Sequence, residues 1–114
     1  MILTVAFYQH ETGNEPVRDW LVSLLRDDRK IIGFDIKTVQ LGWPLGMPLV
    51  KSMGDGLWEV RSHLTGSKIA RVLFFLDGHC MILVHGFIKK TQKTPMEDIE
   101  LAKKRKKRYE QAKR

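Results

Sequence analysis

LWEVRSHLTGSKIARVLFFLDGHCMILVHGFIK, residues 57–89, decides the fold. Its first residues alternate, Leu57, Glu59 and Arg61 against Trp58, Val60 and Ser62, which is the period of a half-buried strand. Leu64-Thr65-Gly66-Ser67 reads as a turn. Ile69 to Leu76 is dense in β-branched and aromatic residues and predicts a second strand. Asp77-Gly78 suits a tight hairpin, and Cys80 to Ile88 predicts a third. Three consecutive strands with short links make an antiparallel meander.

On the C-terminal side, Thr94-Pro95-Met96-Glu97 reads as a capping box, with Thr94 as N-cap, Pro95 at N1 and Glu97 at N3. The helix that follows runs to about Ala112. Its apolar residues (Met96, Ile99, Ala102, Tyr109) are sparse, and six successive cations fill positions 103–108. On the N-terminal side, Met1 to Tyr8 has strand composition, broken by His10 to Asn14. Asn14 or a neighbour caps a helix with Glu15 and Pro16 in its first turn. Val17, Trp20, Leu21, Leu24 and Leu25 form one apolar stripe at helical spacing, so this helix is expected to reach Asp27-Asp28. A second helix is expected from there, with Ile32, Ile36 and Val39 inward and Gly42 as its stop. Two prolines and two glycines make residues 42–48 a shaped loop, and Gly54-Asp55-Gly56 a turn before the meander. The expected class is α+β, in one domain over residues 1–114.

The chain is 114 residues long, 43% hydrophobic and 29% charged, enough for a single core without staples. Cys80 is the only cysteine, so no internal disulfide can form, and its apolar run predicts an inert thiol. There is no signal-peptide pattern and no apolar run of membrane-spanning length, so a soluble, cytoplasmic protein is expected. The formal charge of +7 is uneven: residues 1–56 carry net −1 and residues 57–114 carry net +8. Such separation points to one face for a polyanion. The histidines and carboxylates show no metal-ligand spacing, so no metal or other cofactor is expected.

Strand alternation says which cations share a face. Arg71 lies on the side of Ile69, Leu73 and Phe75, and Arg61 and Glu59 share a face of the preceding strand. Lys89 and Lys90 end the third strand on opposite sides. A Glu59–Arg61 or Glu59–Arg71 ion pair is the plain structural account of these residues. The functional account is a hollow where Arg71, Arg61 and one of the two lysines meet a phosphate. RNA supplies its own 2′-OH nucleophile beside each phosphate. Cleavage then needs a base, charge stabilisation and an acid. Arginine suits the second task, and a crowded lysine or His85 suits the others.

The strand Leu57-Trp-Glu-Val-Arg61 and the strand end Gly86-Phe-Ile-Lys-Lys-Thr91, in that order and at that spacing, resemble the phage-derived HigB-like branch of the RelE/ParE toxin superfamily. Ala70-Arg-Val-Leu-Phe-Phe75, the Gly42 to Lys51 segment and the Ala102 to Arg105 helix fit as well. The resemblance covers roughly residues 2–110. It implies a small curved antiparallel sheet, two helices from the N-terminal half on one side and a basic C-terminal helix. It further implies the toxin of a type II toxin–antitoxin pair, a metal-independent, ribosome-dependent mRNA endoribonuclease that inhibits translation. The implied partners are a HigA-like helix-turn-helix antitoxin, mRNA on the ribosome, and operator DNA bound only by the toxin–antitoxin complex. The resemblance implies catalytic roles for Arg71, Arg61, Lys89 and Lys90; with His85 added from its place in the strand, the base stays open between a lysine and His85. RNA contacts are expected from Lys93, Lys51, Lys68, Lys103, Lys104 and Lys107. Two other readings stay open. One is a toxin of the same fold that inhibits a protein such as DNA gyrase, and the other a plain RNA-binding phage accessory protein.

Overall fold

The computed structural model of the chain describes residues 1–113. In order, these form strand β1 (Thr4–Phe7), helices α1 (Pro16–Ser23) and α2 (Arg26–Gly42), strands β2 (Val50–Gly54), β3 (Leu57–His63), β4 (Ile69–Asp77) and β5 (Cys80–Lys89), and helix α3 (Met96–Ala112). The five strands make one curved sheet in the order β1-β5-β4-β3-β2. The three-strand meander lies at its centre as expected, because each of those strands carries its own period and turn.

The sheet departs from the sequence reading in two ways. The sheet is mixed, because β1 runs parallel to β5, with Thr4 opposite Cys80 and Phe7 opposite Leu83. Strand direction at an edge depends on where the chain is led, and here α2 returns to meet the start of β1. The amino terminus donates to Trp43 O at 2.8 Å and Leu3 N–H to Gln40 O at 2.8 Å. The other departure is β2, in the stretch between the 42–48 loop and the turn, for which no strand was expected. It pairs with β3 across Gly54-Asp55-Gly56, all three with positive φ. A turn of that shape needs glycines, and it closes a hairpin.

The first helical stripe is also divided. α1 ends at Ser23, and Leu24 takes an extended conformation. The longer α2 then buries Ile32, Ile36 and Val39 as expected. Both helices cover one face of the sheet, over Val60, Val72, Phe74 and Leu83. Trp43 and Trp58 meet edge to face there at 5.0 Å, so neither is a free platform for a base. α3 covers the opposite face, where Ala102 packs among Leu57, Leu73, Phe75, Val84 and Phe87. Among the described residues, no helix is long and apolar enough to cross a membrane.

α1 sits close to β5 because residue 86 has no side chain. A Cβ added at Gly86 would stand 2.4 Å from Trp20 Cζ3. Gly86→Ala is therefore expected to lower stability by roughly 1–3 kcal/mol through overpacking, read from the shift in a urea unfolding midpoint. Gly46→Ala, with nothing within 4 Å of its Cβ, is the matched control.

Candidate active site

The register of the meander sets the site. Arg61 lies opposite Arg71, and Arg71 opposite Phe87, so all three project on the α3 face. Two arginines directly opposite each other repel. Glu59, two residues from Arg61 and 1% exposed, relieves this: its Oε1 is 3.5 Å from Arg61 Nε and 3.9 Å from Arg71 Nε. Its Oε2 accepts from the Thr94 hydroxyl. That contact changes how α3 begins. Pro95, not Thr94, is the N-cap, and no side chain caps the helix. A buried carboxylate needs hydrogen bonds more than an exposed helix end does, so Thr94 is used inward.

Arg71 does not line an open hollow. It is 0% exposed, and its Nη2 donates to Thr91 O and, at 3.0 Å, to Gln92 O. Arg61 Nη2 donates to the same Gln92 carbonyl at 2.8 Å. Residues 90–95 thus lie across both guanidinium groups. Burial works against the charge of Arg71 and Glu59 favours it. The expectation of an accessible phosphate cradle at Arg71 is corrected on this point: a carboxylate and two carbonyls already hold the guanidinium. The Glu59 ion pairs given as the plain account are present.

Beside that cluster is a second group, open at its edge. The strand pairing runs Leu73 to His85 and then Phe74 to Leu83, skipping Val84. Such a bulge re-aims the neighbouring side chain. It is held by Arg105, whose Nη1 donates to Val84 O at 2.7 Å. His85 stacks on Phe87, with ring centres 5.3 Å apart, and its Nε2 is 2.7 Å from Asp98 Oδ1. Lys89 Nζ reaches Asp98 Oδ2 at 3.3 Å and lies 5.5 Å from the Phe87 ring centre. Phe87 is therefore a common wall for His85, Lys89 and Arg71, whose Cζ is 6.0 Å from it.

Burial lowers the His85 pKa below its ordinary 6.5, outweighing the opposing pull of Asp98. His85 is thus neutral at pH 7, with Nε2–H donating to Asp98 and the lone pair left on Nδ1. The side chain keeps 14% exposure. An aligned neutral imidazole of this kind can take a proton. The lowered pKa also fixes a sign. The unfolded chain binds this proton near pH 6.5 and the folded chain does so only at lower pH, so stability is whole above 6.5 and declines as pH falls below it. Urea unfolding at a series of pH values should show that decline, and His85→Gln should flatten it.

The remaining cations divide. Lys90 and Lys93 are exposed on the 90–95 segment, and Lys51 is exposed on β2 opposite Glu59. Lys104 and Lys107 are exposed on α3, whereas Lys103 pairs with Asp55 at 3.0 Å. Lys68 does not join them: it reaches Asp28 of α2 at 3.8 Å, on the other side of the sheet. Tyr109 sits away from His85, donating to Asp77 at 2.7 Å, its phenol pushed up to about 12 by burial and by Asp77. With Tyr8, His10 and Arg108 it lines a surface cleft of about 520 Å³. Asp98 is not among the residues that the sequence singles out: in that turn only Glu97 carries a signal, as N3 of the expected capping box. The short link from β5 keeps the start of α3 near the strand end, and the docking of α3 on the sheet brings Asp98 to His85.

A family model described as "Phage derived protein Gp49-like (DUF891)" matches residues 19–107, which includes β3, β4, β5 and all but the end of α3. No curated protein matches the chain.

Proposed function

Because the chain belongs to the phage-derived Gp49-like family, which is associated with toxin–antitoxin pairs, we propose that it is a type II toxin of the HigB-like, RelE/ParE kind that cleaves mRNA. The observation that carries this reading is His85, neutral, oriented by Asp98 at 2.7 Å and partly open, beside Lys89. His85 Nδ1 takes the proton of a ribose 2′-OH. The 2′-oxygen bonds to phosphorus as the bond from phosphorus to the 5′-oxygen breaks. An ammonium group, Lys89 or Lys90, gives that oxygen its proton. The products are a 2′,3′-cyclic phosphate and a 5′-hydroxyl, and no external reactant is consumed.

The exposed cations Lys90, Lys93, Lys104 and Lys107 supply long-range attraction to an RNA backbone, and those on α3 suit ribosomal RNA. A helix-turn-helix antitoxin is the proposed neutralising partner. One observation favours a second reading, a toxin of this fold that binds a protein target without chemistry: Arg71 is wholly covered, and its neighbouring charges are already paired. Induced expression followed by mapping of mRNA 5′ ends separates the two. Cuts at fixed positions in the reading frame support ribosome-dependent cleavage, whereas growth arrest with intact transcripts supports the second reading and rejects the first.

A further inference from the structure

We propose that residues 90–95 are a displaceable strap occupying an RNA-phosphate site, with the Thr91 and Gln92 carbonyls standing where phosphodiester oxygens bind Arg61 and Arg71. The inference rests on the RNA-cleaving reading and adds how its site opens.

The strap has little else to hold it down. Lys90, Thr91, Gln92 and Lys93 are all exposed, and only the end of the segment is covered, with Thr94 buried and Pro95 half-buried. Its links to the sheet are the two carbonyls on the guanidinium groups and the Thr94 hydroxyl on Glu59. A segment tethered by a few polar contacts opens at low free energy. Beneath it, the arginines are left short of acceptors. Among the described residues, Arg71 Nε, Arg71 Nη1 and Arg61 Nε are buried with no hydrogen-bond partner, although Glu59 lies 3.5 to 3.9 Å away. Buried donors are rarely left so. A phosphodiester offers charged oxygens that accept in pairs from a guanidinium, and such bonds are stronger than those to a neutral carbonyl. Lys90 and Lys93, carried on the strap itself, draw the polyanion to the point where it must be displaced. The His85–Asp98 group borders the same Phe87 wall, so a phosphate seated on Arg71 lies next to the proposed base.

The test uses the whole chain and a 2′-O-methyl oligonucleotide, whose phosphodiesters cannot be cleaved by 2′-OH attack. NMR follows the Arg71 Nε–H signal and the backbone amide signals of residues 91–94. Added oligonucleotide is expected to shift the Arg71 signal and the amide signals of the strap together, while sodium chloride at equal ionic strength shifts neither. Inorganic phosphate producing the same response at similar concentration would locate a free-phosphate site and overturn the assignment to RNA. An oligonucleotide that shifts α3 resonances but leaves Arg71 and the strap unchanged would overturn the proposal, as would absence of binding.

Thr94→Val removes one tether, so the open population rises and the oligonucleotide is expected to bind about tenfold more tightly, with Thr94→Ser returning it to the wild-type value. Unchanged affinity in a folded Thr94→Val chain also overturns it. The two readings fail separately. Strap opening in a chain that cuts no RNA rejects cleavage alone, and His85-dependent cutting with a static strap rejects this inference alone.

Discussion

Glu59→Ala is expected to lower the stability of the folded chain by about 3–5 kcal/mol, the range for breaking a buried ion pair from one side. Glu59 is the shared partner of Arg61, Arg71 and Thr94, and Arg71 lies wholly out of solvent. Without the carboxylate, two guanidinium groups face each other across β3 and β4 with only carbonyls for company. The loss is a large share of the roughly 5–15 kcal/mol that holds a domain folded. Glu59→Gln keeps the shape and a hydrogen bond to Thr94 while removing the charge, so it should fall between wild type and Glu59→Ala. Lys51→Ala, at the exposed register partner of Glu59, should stay within about 0.5 kcal/mol. Urea unfolding of the three variants makes the comparison. A loss in Glu59→Ala no larger than that in Lys51→Ala would mean that the cluster contributes no net stability.

The second large effect concerns chemistry. Under the proposed mechanism, His85→Ala is expected to reduce RNA cleavage by roughly 10²- to 10⁴-fold, the usual contribution of a positioned acid or base. Asp98 acts through His85 and is a positioning residue, so its variant should carry a distinct signature. The Asp98 carboxylate raises the His85 pKa against the stronger effect of burial. Asp98→Asn removes that support, and the acid limb of the rate–pH profile should move to lower pH while the rate at its plateau drops. A purely structural role for Asp98 would lower the rate without moving the limb. Single-turnover cleavage across a range of pH distinguishes these results.

The meander was legible because β3, β4 and β5 each bring an alternating or apolar run and a turn of their own. α2 was likewise legible from Ile32, Ile36 and Val39. The parallel pairing of β1 was not, since Thr4 and Cys80 are far apart in the chain and nothing in either strand's own residues sets the direction of an edge pairing. Parity within each strand put Arg61 with Glu59 and left one of Lys89 and Lys90 to join the arginines; the register of β3, β4 and β5 made it Lys89, with His85 beside it. What fills the space between them did not follow. Glu59 and Asp98 neutralise the cations locally, and Asp98 belongs to a helix whose docking on β5 is a tertiary event. The covering of Arg71 was the least visible, because its partners at Thr91 and Gln92 are backbone carbonyls, which every residue has. Thr94 shows the same conflict at one atom. Its local signal favours a helix cap, and the buried charge of Glu59 takes it instead.

The most direct measurement is the chemistry of the RNA ends left by the expressed protein. Attack by the 2′-OH with His85 as base predicts fragments with 5′-hydroxyl and 2′,3′-cyclic phosphate termini, absent when His85→Ala is expressed at the same level. Fragments ending in 5′-phosphate, or cutting that persists undiminished in His85→Ala, would contradict it.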